Sequence, residues 1–529
     1  MVFSDYLFLD VALACSGLYL LKKALFSSKQ QHPPLPPGPK RKALIGNLLD
    51  LPKPGEQEWL HWTKHKDLYG PISSISIFGQ HIVVINEMKL AFEMLDKKSS
   101  IFSDRPVLQF AGVMCGYDRA LAMITYGERF RALRKYMHQY IGTPSAMVAH
   151  HPLQETETRH FLRRLMAEPD KLHDKIRAAT GSIILKMSHG YTVDHEKPDP
   201  LVELADNALA EFSLAAEAGK WMVDMMPFLQ YIPDWFPGTG FKRVAKDWRG
   251  VLDQTVDQPH AFVKQQMSSG HYFPSFTSAF LEDGPKSDDD DYTLKWAGFA
   301  LYGGGADTTV SSLYTFFLAM TLNPDVQKAA QEEIDRVVGS DRLPLFADRE
   351  NLPYINALVK ETLRWQPVVP LCIPHTASED AVFNGYFIPK GTIILPNIWH
   401  FTHDPSTYKD PKAFKPERFL GANPEFDPHE LSFGFGRRIC PGKELADASI
   451  FIAIAQVLAA FTIGKAKDAS GNTIEPLYEY TPGVISHPKD FVCTVTPRSE
   501  KAAQLVKSID FEHPAQHSDA ESLASVQWK

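Results

Sequence analysis

Apolar residues fill the first 23 positions, MVFSDYLFLDVALACSGLYLLKK, with charge intruding before the closing lysines only at Asp5 and Asp10. The span is close to the ~20 residues that cross a bilayer as a helix. Asp5 precedes the apolar core, whereas Lys22, Lys23, Lys29, Lys40, Arg41 and Lys42 follow it. Positive charge on the following side keeps that side cytosolic, which predicts a retained anchor and not a cleaved signal. A buried N-terminal helix is the alternative. The next stretch, HPPLPPGPK, is dense in proline and predicts an extended, stiff spacer. The chain thus divides into an anchor at 1–26, a proline-rich basic linker at 27–42, a main body at 43–497 and a polar tail at 498–529. The tail lacks a sustained apolar period and is expected to fray.

Within the body the helical period dominates. NPDVQKAAQEEIDRVVG, closed by Gly339, and LPYINALVKETLRW, stopped near Pro367, both read as amphipathic helices. The runs HIVVIN, YFIPKGTIILPN and FVCTVTP are short and β-like. SDDDDY at 287–292 reads as a solvated loop before a helix. After it, LKWAGFALYGGGADTTVSSLYTFFLAMTLNP predicts one long apolar helix ending before Pro324, although Gly303, Gly304 and Gly305 sit in its middle. Each interior glycine costs roughly 1 kcal/mol relative to alanine. Such a helix needs its backbone close to a ligand, or a local widening of its turns. A kinked core helix that satisfies the Asp307–Thr308 polar pair internally is the plainer account. The pattern as a whole gives a mainly α single domain with small β-sheets at one side.

Composition narrows the class. A hydrophobic content of 44% suits a globular chain with a large core. A net charge of −8 without a basic domain excludes a nucleic-acid partner. Five cysteines without framework spacing exclude a disulfide-built secreted scaffold.

One cysteine has unusual surroundings. In FGFGRRICPG, Cys440 follows a glycine-rich approach and precedes Pro441-Gly442 and the apolar helical run SIFIAIAQVLAAF. Proline suits a first helical position, which places Cys440 at or beside a helix N-cap, where an anion is favoured. A thiol there loses its proton more readily, and the thiolate is the form that attacks or binds metal. Gly434 and Gly436 permit a tight turn or a close approach to a flat ligand. Arg437 and Arg438 offer charge-assisted hydrogen bonds to carboxylates. An inert buried thiol is the common outcome for a lone cysteine. A zinc site lacks any C-x-x-C pair here, and a dinucleotide fingerprint fails at Ile439.

The ten residues together resemble the haem-binding loop of the cytochromes P-450, F-x-x-G-x-R-x-C-x-G, through Phe433, Gly436, Arg438, Cys440 and Gly442. Three further stretches carry the resemblance, in the family's order. Gly304-Gly305-Ala306-Asp307-Thr308-Thr309 is similar to the oxygen-activating element, in which the acid and the alcohol help deliver protons to the oxygen being activated. Glu361-x-x-Arg364, otherwise readable as an exposed i, i+3 pair, joins with Arg418 of FKPERF to resemble the family's structural triad. Arg134 resembles the arginine of W-x-x-x-R, with Phe130 where the family has tryptophan; a phenyl ring supplies no N–H donor. His375 stands where the family commonly has Arg or His. Ordinary surface charge is the alternative for His375 and Arg134.

The resemblance implies a mainly helical cytochrome P-450 fold enclosing haem b, preceded by a single N-terminal transmembrane helix, with Cys440 as the axial iron ligand. Arg134, His375 and Arg438 become partners of the haem carboxylates. The implied activity is a monooxygenase inserting one oxygen atom from O2 into a lipophilic terpenoid, sterol-like or polyketide-derived molecule. Features such as YIPDWFPGTGFKRVAKDW and ALYGGG resemble fungal microsomal members of specialised metabolism. No flavin or NADPH module is present in the chain, so NADPH acts through a separate NADPH–cytochrome P-450 reductase. Arg131, Lys135, Arg437 and Lys443 are the expected docking face, and the location is the endoplasmic reticulum membrane with the domain cytosolic. Phe102, Val107, Phe299, Val368, Val369, Leu371 and Val484 are expected pocket residues, with plain core packing as the alternative for each. WMVDMMPFLQYIPDWF at 221–236 is the expected membrane-facing lip. Glu217 or Asp224 would serve an amine substrate. An oxygen-independent thiolate-haem isomerase or dehydratase, and a non-catalytic haem-binding sensor, are the other classes.

Overall fold

The computed structural model describes residues 32–528 except 54, 196, 218, 283, 285 and 286. The longer helices are α1 (Glu58–Tyr69), α2 (Glu128–Ile141), α3 (His151–Ala167), α4 (Leu172–His189), α5 (Pro200–Ala215), α6 (Gly240–Ser269), α7 (Asp288–Leu322), α8 (Pro324–Val337), α9 (Pro353–Trp365), α10 (Lys443–Ala460) and α11 (Glu500–Glu512). The strands are β1 (Ile72–Ile77), β2 (Gln80–Ile85), β3 (His375–Thr376), β4 (Ala381–Phe383), β5 (Tyr386–Ile388), β6 (Ile393–Pro396), β7 (Phe461–Lys465) and β8 (Cys493–Pro497). They make one four-stranded sheet, β1-β2-β6-β3, and the two-stranded pairs β4-β5 and β7-β8. In the larger sheet β1 and β2 run antiparallel, with Ile72 opposite Ile85, and β2 runs parallel to β6, with Ile82 opposite Ile393.

The 35-residue α7 organises the interior. Its N-terminal half packs with α2, α4, α5 and α6 around Phe110, Trp296 and Phe299, and its C-terminal half with α3, α4, α9 and α10 around Phe316, Phe317 and Phe451. A helix apolar all round must be buried nearly all round, and beyond its acidic first turn this one is, Gly304 excepted. Its glycines have separate causes. A Cβ at Gly305 would lie 2.5 Å from Ile184 Cδ1 of α4, so the two helices touch there, whereas Gly304 faces open space. The helix stays α-helical through both.

Three sequence expectations change. The acidic run is no loop. Asp288 to Asp291 form the first turn of α7, capped by the Ser287 hydroxyl. The positive end of the helix favours these carboxylates, and Arg129, His260 and Lys264 meet them from neighbouring helices. The described part of the linker is no free spacer. Ser74 N–H donates to Pro37 O at 2.7 Å and Phe387 N–H to Pro34 O at 2.9 Å, so the prolines lie along β1 and β5. The C-terminal tail does not fray. Helix α11 lays Ala502, Val506 and Ile509 against α3, and Leu523 and Val526 enter the core beside α4 and α6. Among the described residues no helix is long and apolar enough to cross a membrane. The anchor expected at 1–26 lies outside the described residues.

Candidate active site

The Phe433–Gly442 loop is closed by Cys440 N–H donating to Phe433 O at 2.8 Å. At its tight point Gly436 has φ +54°, and a Cβ there would fall 2.2 Å from Leu95 O, so only glycine fits. Phe433 packs against the cluster of α9 and α10 and stacks on the His429 ring. Cys440 is the exposed cysteine of the four described ones. It is not at the N-cap: Gly442 holds that position and α10 begins at Lys443. With protein on all sides of the accessible sulfur, burial pushes the thiol up, against the Gly442 N–H and Arg134. The expected lowering at the helix start is outweighed. A bound metal deprotonates a coordinating thiol outright.

Beside this loop the interior is basic. Arg438 donates to Ser103 O at 2.7 Å and Ile124 O at 2.8 Å, and its guanidinium lies 4.0 Å over the Phe130 ring. Its remaining Nη1 is buried without a partner. His375 is 1% exposed, with Nδ1 bonded to Phe102 O at 2.8 Å and Nε2 unpartnered. Burial, then the charges of Arg105 and Arg438, hold its pKa far down, so the ring is neutral, its proton is on Nδ1 and Nε2 is left as an acceptor. Arg134 donates to Ile439 O at 2.5 Å. Neither His375 nor Arg134 is a surface charge. Arg105, which the sequence reading passed over, donates to Ala122, Ile373 and Pro374 carbonyls. Burial and then Arg105 push Arg438 down to about 9, and burial pushes Arg105 down to about 10. Asp104 is the acid close to both, and it already accepts from the Arg105 and Tyr126 N–H groups. Buried cations this poorly compensated, with the Arg438 Nη1 donor orphaned, fit a ligand that brings its own carboxylates. An accessible thiol beside them fits a haem.

On α7, Gly304 is exposed and Thr308, one turn on, is half-buried, within a stretch that is mostly buried. The Thr308 hydroxyl donates to Gly304 O at 2.8 Å, leaving its lone pairs free to accept. Asp307 is buried and its Oδ2 lies 3.1 Å from His487 Nε2. The acid and the alcohol are therefore adjacent in sequence but bonded to different partners. Sequence reasoning gave no hint of His487, which is 180 residues away.

Glu361, Arg364 and Arg418 do meet, fully inside the protein and not on an exposed helix face. Arg364 is bidentate to Glu361 at 2.7 and 2.8 Å, Arg418 Nε lies 3.1 Å from the same carboxylate, and Arg418 Nη1 reaches Glu425 at 2.7 Å. Glu425 is a further member that no spacing pointed to.

The expected pocket residues separate. Phe299 and Val484 share the cluster of Phe110 and Ala306. Val368 and Val369 are half-buried on the segment after α9. Phe102 is instead packed with Phe383 near the sheet, Leu371 lies against the sheet beside Met225, and Val107 is 65% exposed. Trp221 stacks on Phe110 at 3.6 Å. Glu217 pairs with Lys220 at 2.8 Å and Asp224 accepts the Phe110 N–H at 2.8 Å, so neither is free for an amine. Of the expected docking cations, Arg131, Lys135 and Arg437 are exposed, while Lys443 is paired with Glu430 at 2.9 Å.

The family model described as Cytochrome P450 matches residues 36–495. The cytochrome P450 monooxygenase claR of Ampulloclitocybe clavipes is 51% identical over 97% of this chain and 95% of its own length. Cytochrome P450 monooxygenase 208 of Postia placenta is 48% identical over 95% and 98%. The O-methylsterigmatocystin oxidoreductase of Aspergillus flavus is 40% identical over 97% and 96%. With a match spanning nearly the whole domain and relatives this similar end to end, the chain belongs to the cytochrome P450 family.

Proposed function

We propose that this protein is a haem-thiolate monooxygenase that inserts one atom of O2 into a lipophilic small molecule of specialised metabolism, with electrons from NADPH through a separate reductase. The observation that carries the reading is the accessible Cys440 thiol beside a buried basic cluster in which the Arg438 Nη1 donor has no partner. When bound, haem supplies the redox-active iron at which dioxygen is activated. Cys440 would hold the iron, and Arg438 and Arg134 would hold the carboxylates; His375 would join them only by giving up its Phe102 bond or taking up a second proton. Phe130 offers Arg438 a ring face where the family's tryptophan would add a donor. Thr308 keeps its hydroxyl fixed on Gly304 O and accepts a hydrogen bond from the open side. Asp307 takes up and returns protons. Apolar walls that include Phe110, Phe299 and Val484 exclude water and orient the substrate by shape.

The substrate class, terpenoid, sterol-like or polyketide-derived, is supported by those walls, and the similar Aspergillus flavus protein is an O-methylsterigmatocystin oxidoreductase. Reductase docking on Arg131, Lys135 and Arg437 is supported by their exposure beside the Cys440 loop. A peripheral membrane contact is supported by Phe228, Tyr231 and Trp235, the last 81% exposed. Together with the sequence of residues 1–26, this favours the endoplasmic reticulum surface. The test is untargeted profiling of extracts from the native producer, incubated under ¹⁸O2 with reductase-bearing microsomes that contain this chain. One labelled oxygen atom should enter a product only when NADPH is present. Conversion without label or NADPH would instead establish an isomerase or dehydratase.

A further inference from the structure

Residues 481–488 form a tight loop. Tyr480 pairs with Pro488, Thr481 N–H donates to His487 O at 2.8 Å, and His487 N–H donates to Thr481 Oγ1 at 2.9 Å. Two bonds pin the loop. Ser311 Oγ donates to Ser486 O at 2.6 Å, and Ser486 N–H donates to Val368 O at 2.9 Å. Ser311 is one helical turn beyond Asp307 and on the same face of α7. The pinned loop therefore delivers His487 to Asp307, at 3.1 Å. A carboxylate only accepts, so Nε2 carries the proton in this bond. The other ring nitrogen, Nδ1, is buried without a partner. Val484, on the same loop, packs against the cluster that contains Phe110 and Phe299.

The charged surroundings come from two more helices. Helix α4 contributes Arg177 and His173, and α5 contributes Asp206, whose carboxylate meets Arg177 at 3.1 Å. Asp490 lies beyond, near His173. Burial raises the Asp307 pKa, but the His487 bond and charge, then Arg177 and His173, more than reverse this, so the group is held low. Asp206 is pushed up to about 6, by burial first and by the charge of Asp307. The two carboxylates thus differ in proton affinity, with the Arg177 charge acting on both.

We propose that His487 is a positioning residue for oxygen activation: by gripping Oδ2 it fixes the Asp307 carboxylate on the loop side of α7 and governs when it turns to pass a proton inward. This rests on the monooxygenase reading. Proton supply to the Thr308 side then depends on a residue that shares its loop with Val484, a wall of the pocket.

The test uses full-chain holoenzyme with reductase, NADPH and O2, and needs no identified substrate. Consumed O2 leaves either as peroxide (O2 + NADPH + H⁺ → H2O2 + NADP⁺) or as water (O2 + 2 NADPH + 2 H⁺ → 2 H2O + 2 NADP⁺). Their ratio is measured across pH for wild type, His487→Ala, His487→Gln, Asp307→Asn and the Asp307→Asn/His487→Ala pair. In His487→Ala the peroxide share should rise several-fold. Its inflection should also move to higher pH, because Asp307 loses the group that depresses it most while its burial remains. His487→Gln, which restores a neutral donor, should recover most of the wild-type ratio. In the Asp307→Asn background, His487→Ala should add nothing, since the two act as one unit. An equal effect in both backgrounds, or an unmoved pH profile in His487→Ala, overturns the assignment. A wild type that oxidises no NADPH sinks the monooxygenase reading, and this proposal with it.

Discussion

Thr308 commits its proton to Gly304 O and keeps its lone pairs toward open space, so its part in the chemistry is to accept and not to donate. Thr308→Ala keeps the helix, since alanine is the best helix former, and removes that acceptor alone. NADPH consumption should persist within about two-fold while the share appearing as peroxide rises several-fold, read by simultaneous NADPH and peroxide assays. Unchanged coupling would remove Thr308 from oxygen activation. At this scale the sequence was most legible where neighbours in the chain share a job. Phe433, Gly436, Arg438 and Cys440 lie within one closed loop, so a local pattern describes them. His487, which meets Asp307, and Arg105, the cation beside Arg438, come from distant segments that nothing nearby announces, and Glu425, seven residues after Arg418, sits at no spacing that marks it.

Between elements, the strongest polar tie joins α9 to the segment at 409–425. Glu361 is the acid that compensates Arg364 directly and Arg418 in part, and all three are buried. It also accepts Lys415 N–H at 2.7 Å. Removing one member of a buried charge set costs about 3–5 kcal/mol, because the others stay buried and unpaired. Glu361→Gln should therefore lower the thermal midpoint of the holoprotein and cut the yield of haem-loaded chain severely, measured by calorimetry and by haem content. A variant as stable as wild type would show the set to be solvated. Helix and strand periods told the elements apart well for α8, α9 and β2, where the apolar stripe is dense. They misled where the stripe is thin. In α11 the apolar positions Ala502, Val506 and Ile509 already keep helical spacing, but the intervening polar residues made the segment read as a loose tail. At the start of α7 a charge run hid a helix, because the cations that stabilise it belong to other helices.

The whole molecule places a cysteine loop, a basic interior cluster and an open turn of its central helix within one fold. The net charge of −8 leaves the exposed cations around that loop as a local feature. The exposed aromatic residues of 228–235 form a separate face, suited to a lipid surface by their amphipathic rings. The account stands on Cys440 being the iron ligand, and the most direct test is the absorption spectrum of the reduced, carbon monoxide-bound full chain. Wild type should give the strongly red-shifted band of a thiolate-ligated haem, and Cys440→Ser should lose it while Cys372→Ser keeps it. A red-shifted band that survives Cys440→Ser would contradict the account.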